Sequence, residues 1–155
     1  MSAAPHFELI PTGRLRIHEE IRPELVARLV EELRRDGAVA EPIWVARGSN
    51  VVLNGHHRYA ALRALGAQRV PAWVFDYDSE DVVLDRWQPG PALSKAEVVS
   101  RARSGRPFPP KTTKHTVHPL PPSRPTPLSE LGVPGPPQTR PARRSAGALG
   151  ATDGS

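Results

Sequence analysis

The sequence predicts an α+β fold: a small domain with a mixed sheet and about three helices, followed by a disordered, Pro-rich C-terminal tail. Three observations carry this. Apolar residues change between strand and helix periods in the order strand, helix, hairpin, helix, strand, helix. Prolines gather late, with 7 in residues 1–106 and 12 in residues 107–141, which leaves little apolar period to bury there. Charge divides the same way: residues 1–100 carry 12 Lys/Arg against 14 Asp/Glu, and residues 101–155 carry 9 against 2. The expected boundaries are a domain over residues 1–120 and a tail over residues 121–155.

The elements follow in order. Phe7 to Ile10 alternates apolar and polar and stops at Pro11-Thr12-Gly13, as a short strand does. Pro23 opens a helix in its first turn, Leu25, Val26, Leu29, Val30 and Leu33 follow at helical spacing, and Gly37 is placed to end it. Ile43 to Ala46 and Val51 to Leu53 flank Gly48-Ser49-Asn50 and read as a hairpin. A second helix runs from His56 to Leu65 before Gly66. Arg69 to Phe75 is a strand, with Pro71 pointing to an edge position. Asp76 to Asp81 is acidic and polar and reads as a loop. Ser94-Lys95-Ala96-Glu97 is a capping-box pattern that opens a third helix, stopped by Gly105. Beyond Arg106 no apolar period remains, although Leu128 and Leu131 offer a short segment that can dock.

Composition excludes several classes. The chain has no cysteine, hence no disulfide, thiolate metal site or thiol nucleophile. No apolar run approaches the length of a membrane span. The N-terminus MSAAPHFELIP lacks the basic and apolar regions of a signal peptide, so a cytoplasmic location is expected. The formal net charge of +5 belongs to the C-terminal third, which argues against a folded basic face that reads DNA.

Four clusters are candidates for chemistry. Asn54-Gly55-His56-His57-Arg58 ends a strand and starts a helix, where free backbone N–H groups, two imidazoles and a guanidinium suit an anion. Its plain structural reading is a turn with a surface ion pair. Lys111-Thr112-Thr113-Lys114-His115 concentrates cations, hydroxyls and an imidazole fit for phosphate, although taken alone it reads better as a solvated basic linker. His18-Glu19-Glu20 supplies carboxylates able to take a proton or help hold Mg2+, or simply precedes a helix start that favours negative charge. The His56-His57 and His115/His118 pairs lack Cys and any zinc spacing motif, so no protein-ligated metal is expected.

Together the motifs resemble a known family. VVLNGHHRYAALRALGAQRVPAWVFDY looks like the core of the ParB/sulfiredoxin-like superfamily. Within it the chain most resembles the free serine kinases, which phosphorylate L-serine to O-phospho-L-serine. Three separated matches carry the narrower resemblance: HEE at His18–Glu20, GHHR at Gly55–Arg58 and FPPKTTKH at Phe108–His115. Trp87 in DRWQPG falls where such proteins carry a tryptophan, and the similarity runs from about residue 7 to about residue 120. Sulfiredoxins place a catalytic Cys where this chain has His56, and chromosome-partitioning ParB proteins continue into a helix-turn-helix. Neither pattern is present.

The resemblance implies a nucleotide-binding domain that moves a phosphoryl group from ADP or ATP to free L-serine. It implies that Glu19 is the catalytic carboxylate, with Gly55, His56, His57 and Arg58 holding the nucleotide phosphates. Lys111, Thr112, Thr113 and His115 then close the site from the other side, and Trp87 shapes the serine pocket. Mg2+ is implied as arriving with the nucleotide. The family's Asp-Gly-His-His-Arg becomes Asn54-Gly55-His56-His57-Arg58 here, which keeps shape and one acceptor but loses the charge. The alternative is therefore a catalytically inactive ParB-like nucleotide-binding or regulatory module. Its protein partner would dock on the Pro-rich tail through PPSRP and PGPPQTRP, which suit polyproline II.

Overall fold

The computed structural model describes residues 4–134. Strand β1 (His6–Pro11) leads through a 3-10 turn at Thr12–Arg14 to helix α1 (Pro23–Asp36). Then come β2 (Ala38–Val39), β3 (Ile43–Ala46), β4 (Val52–Asn54) and helix α2 (His56–Ala64). Strands β5 (Arg69–Phe75) and β6 (Val82–Arg86), helix α3 (Lys95–Ser104), and strands β7 (Thr113–Val117) and β8 (Thr126–Pro127) complete the order, with a closing 3-10 turn at Leu128–Leu131.

The main sheet has the order β1-β5-β3-β4. It is mixed, as expected: β1 and β4 pair antiparallel with their neighbours, while β3 and β5 run parallel, with Ile43 opposite Ala72. The expected hairpin forms, with its second strand at Val52–Asn54 rather than Val51 to Leu53, and Asn50 takes the left-handed conformation in its turn at φ 61°. Strand alternation divides the apolar residues between two faces. Ile43, Val45, Val52, Val70, Ala72 and Val74 join Leu33 of α1 and Leu62 of α2 in one cluster. Ala46, Leu53 and Phe75 join Val98 of α3 and the β6–β7 residues Val82 and Val117 in the other.

Local signals set the helix ends. Gly37 and Gly105 close α1 and α3 in left-handed geometry, and the Ser94 hydroxyl accepts the Glu97 N–H at 3.0 Å.

Three expectations change. Pro71 lies in an interior strand rather than at an edge: the parallel pairing with β3 begins one residue later, at Ala72, so a residue without an N–H is accommodated at its start. Residues 82–86 and 113–117 pair as a second antiparallel ribbon, with Leu84 opposite His115. The segment expected to begin the tail is part of the domain through residue 134. Val39 pairs with Thr126, the Gln68 N–H donates to the Leu131 carbonyl at 2.8 Å, and Leu131 is fully buried in the first cluster. One leucine with apolar neighbours suffices to seat a segment whose composition reads as tail. PPSRP lies within this part, whereas PGPPQTRP runs beyond the described residues.

Candidate active site

Strand β4 ends at Asn54, Gly55 turns the chain, and α2 starts at His56. Gly55 has φ 100°, and a Cβ there would stand 2.7 Å from Ile43 Cγ2. Both conformation and space therefore demand glycine. No side chain caps the helix, and the Tyr59 N–H bonds to the Gly55 carbonyl at 2.8 Å. The N–H groups of the three residues before it have no partner within the helix. The Arg58 guanidinium is anchored beside this start by the Pro42 carbonyl at 3.3 Å.

The HEE segment crosses in front of α2. Its backbone pairs with Phe108: the Phe108 N–H donates to the His18 carbonyl at 2.7 Å and the Glu20 N–H to the Phe108 carbonyl at 2.8 Å. This clamp fixes Glu19 beside the KTTKH segment. Glu19 Oε1 accepts the Lys111 N–H at 3.1 Å, and Oε2 accepts the Thr113 N–H at 2.7 Å together with the Thr113 hydroxyl. His18 Nε2 lies 2.8 Å from the same hydroxyl and is wholly buried.

Three histidines meet behind the carboxylate. The His18 ring packs edge-on against His56 at 4.5 Å and against His115 at 5.6 Å. His115 Nε2 pairs with the Tyr77 hydroxyl at 2.8 Å. Burial pushes His18 down to about 4 and His115 down to about 3, while Glu19 pulls His18 the other way. His56 falls well below its ordinary value, from burial first and then from its histidine neighbours. The cluster is therefore neutral at pH 7. Burial of the Tyr77 phenol raises its pKa.

Two ring acceptors reach back to the HEE segment. The His18 N–H donates to His56 Nε2 at 3.3 Å, and the Arg22 N–H donates to His57 Nε2 at 2.9 Å. Burial, Lys111 and Arg22 lower the His57 pKa, in that order.

These groups border a cleft of about 260 Å3. All the predicted site residues line it except Thr112, whose hydroxyl turns to the Pro109 carbonyl at 2.7 Å. At the rim Trp87 is half exposed, with the Lys111 and Lys114 ammonium groups 5.3 and 5.0 Å from its ring centre. Larger hollows of about 550 and 540 Å3 flank α3 but contain none of the clustered histidines or Glu19. Sequence reasoning left His18, Tyr77, Lys114 and Leu29 out of the site. The first and third sit inside motifs it had singled out, so the HEE and KTTKH runs contained the signal.

Among the described residues no three His, Asp or Glu side chains group to hold a metal. The cleft offers one carboxylate, Glu19, whose two oxygens already accept three hydrogen bonds, and the Asn54 amide. This donor set fits a Mg2+ borne mainly by phosphate oxygens and not a dedicated protein cage.

No family model matches the chain. The ParB-like protein of Sulfolobus acidocaldarius is 41% identical over 80 residues, covering 52% of this chain and 40% of the relative. The ATP-dependent L-serine kinase of Staphylothermus marinus is 41% identical over 85 residues, covering 52% and 34%. The ADP-dependent L-serine kinase SerK of Thermococcus kodakarensis is 30% identical over 101 residues, covering 63% and 42%. The chain thus spans only about two fifths or less of the length of these relatives. Among solved structures, a free serine kinase in complex with AMP superposes with a TM-score of 0.71 at 17% identity, covering 84% of this chain and 95% of that one. SbnI with a C-terminal truncation, from Staphylococcus aureus, gives 0.69 at 14% identity, covering 82% and 89%. In sequence this chain is similar to proteins named ParB-like protein and L-serine kinase, and it shares the fold of the solved structures of a free serine kinase and of SbnI.

Proposed function

We propose that the chain transfers a phosphoryl group from ADP or ATP to the hydroxyl of free L-serine, giving O-phospho-L-serine. The observation that carries this reading is one carboxylate, Glu19, fixed by Thr113 and Lys111 in a cleft it shares with the open start of α2. The similarity to L-serine kinases supports the choice of acceptor.

The helix start and the Arg58, Lys111 and Lys114 cations bind the phosphates. Mg2+ brought in on the phosphates supplies further charge neutralisation. Glu19 accepts the serine hydroxyl proton as that oxygen bonds to the terminal phosphorus. The bond from phosphorus to the leaving phosphate oxygen breaks in line, and the shortened nucleotide departs with that electron pair. Positioning and electrostatics supply most of the rate in such a transfer. Trp87, half exposed at the rim, shapes the acceptor side.

The test is mass-spectrometric detection of phosphoserine with purified protein, Mg2+, L-serine, and ADP or ATP supplied separately. Product with either donor establishes the reaction. Nucleotide binding without product favours the inactive-module reading, for which Asn54 is the specific observation.

A further inference from the structure

The two histidines of GHHR use the same ring atom in the same way. His56 Nε2 accepts the His18 N–H at 3.3 Å and His57 Nε2 accepts the Arg22 N–H at 2.9 Å. The two donors flank Glu19 on either side. A backbone N–H can only donate, so each neutral ring must carry its proton on Nδ1. Arg22 is also the residue that caps α1. The pair therefore joins three things: the start of α2, the strand segment carrying Glu19, and the start of α1.

We propose that His57 is a positioning residue for Glu19, acting through Nε2 as a latch on the 18–22 segment, in addition to presenting Nδ1–H to the cleft. This rests on the phosphotransfer reading for its kinetic consequence but not for its structural one. His57 is the better handle of the two because it is only half-buried, whereas His56 sits in the core of the histidine cluster. Without the latch, one of the two ring bonds that hold the helix start against the segment carrying Glu19 is gone, and the phosphate site and the carboxylate lose alignment. Misplacement by about 1 Å is enough to cost roughly 100-fold in rate.

Two substitutions separate the roles of the two ring nitrogens. His57→Gln puts an amide oxygen near the Nε2 position and keeps the latch while losing the Nδ1 donor. His57→Asn puts an amide near the Nδ1 position, keeps that donor and loses the latch. Amide hydrogen exchange at Arg22, measured without any substrate, reads the latch directly. Calorimetry with ADP and ATP reads binding, and phosphoserine formation reads kcat and KM.

The expected result is that His57→Asn exposes the Arg22 amide to exchange by roughly tenfold or more, the scale of one hydrogen bond. Its kcat falls by roughly tenfold to 100-fold, with nucleotide affinity little changed. His57→Gln retains Arg22 protection, and with the Nδ1 donor gone its loss falls on nucleotide affinity more than on kcat. Unchanged Arg22 protection in His57→Asn overturns the latch, as does a kcat loss in His57→Gln that exceeds the loss in His57→Asn. If the native protein forms no phosphoserine, the reading of function falls alone, because the exchange experiment still decides the latch.

Discussion

Thr113 meets Glu19 twice: its N–H donates to Glu19 Oε2 at 2.7 Å and its hydroxyl donates to the same oxygen. The hydroxyl has one proton, so toward His18 Nε2, 2.8 Å away, it acts as the acceptor. A chain of donation runs from a buried ring to one carboxylate oxygen, while the Lys111 N–H holds the other.

Thr113→Val tests this chain. The variant keeps the backbone bond but removes the hydroxyl and leaves His18 Nε2 buried without its partner. A loss of about 1–3 kcal/mol in unfolding free energy is expected. Urea denaturation measures it, and Thr113→Ser should recover most of the loss.

Glu19→Gln should abolish phosphoserine formation while calorimetry still shows nucleotide bound. The amide keeps one acceptor, but its NH2 group must face either the Lys111 or the Thr113 N–H, both of which are donors. A stability loss of about 1–2 kcal/mol is therefore expected beside the loss of activity. Full turnover in this variant removes Glu19 from the mechanism.

Gly55→Ala should destabilise the domain by about 1–3 kcal/mol. The left-handed φ of 100° and the 2.7 Å approach to Ile43 Cγ2 act together. Because the strain falls at the start of α2, nucleotide affinity should drop in step, and calorimetry at a temperature where the variant is folded checks it.

Asn54→Asp places at the end of β4 the charge that the resemblance to the serine kinases implies there. Asn54 is exposed and lines the cleft, so the carboxylate enters without a burial penalty. A rise in kcat is expected if the kinase scaffold is intact. A fall in kcat with nucleotide still bound means that Asn54 is the residue this site requires.

Stability should decline on acidification through the histidine cluster. In the unfolded chain these rings protonate near their ordinary value of 6.5. In the folded chain His18 stays neutral down to about 4 and His115 down to about 3. Below pH 6.5 the unfolded state thus binds more protons, and stability falls as pH falls toward those values. Each ring contributes a slope of up to about 1.4 kcal/mol per pH unit. Above pH 6.5 the contribution is fully present. Urea unfolding between pH 8 and pH 4.5 measures the decline, and His115→Gln should make it shallower.

Much of this was legible because single residues set local geometry. Gly37, Gly55, Ser94 and Gly105 mark helix ends by conformation or by a cap, and neither depends on distant contacts. The β6–β7 ribbon was not legible. The buried positions of β7 are Thr113, His115 and Val117, so its inward face is mostly polar by residue type and shows no apolar period. Two of them, Thr113 and His115, line the site. Their polarity is what the site needs and what hides the strand. His18 escaped for a related reason: residues distant in sequence bury it, among them Phe108, Thr113 and the two other histidines. Leu131 was legible as part of a segment able to dock, but the prolines around it leave no apolar period that compels the docking.

The closing segment also bears on how the protein comes together. His6 pairs with Val74 across the first half of the described chain, and Leu131 completes the cluster that contains Ile10. During synthesis the first core therefore remains open until residue 131 has emerged. Pairings this distant in sequence are slow to form, because loop closure precedes their reward. Until then the part of this cluster that Leu131 covers stays exposed, and the nascent chain is at its most prone to aggregate.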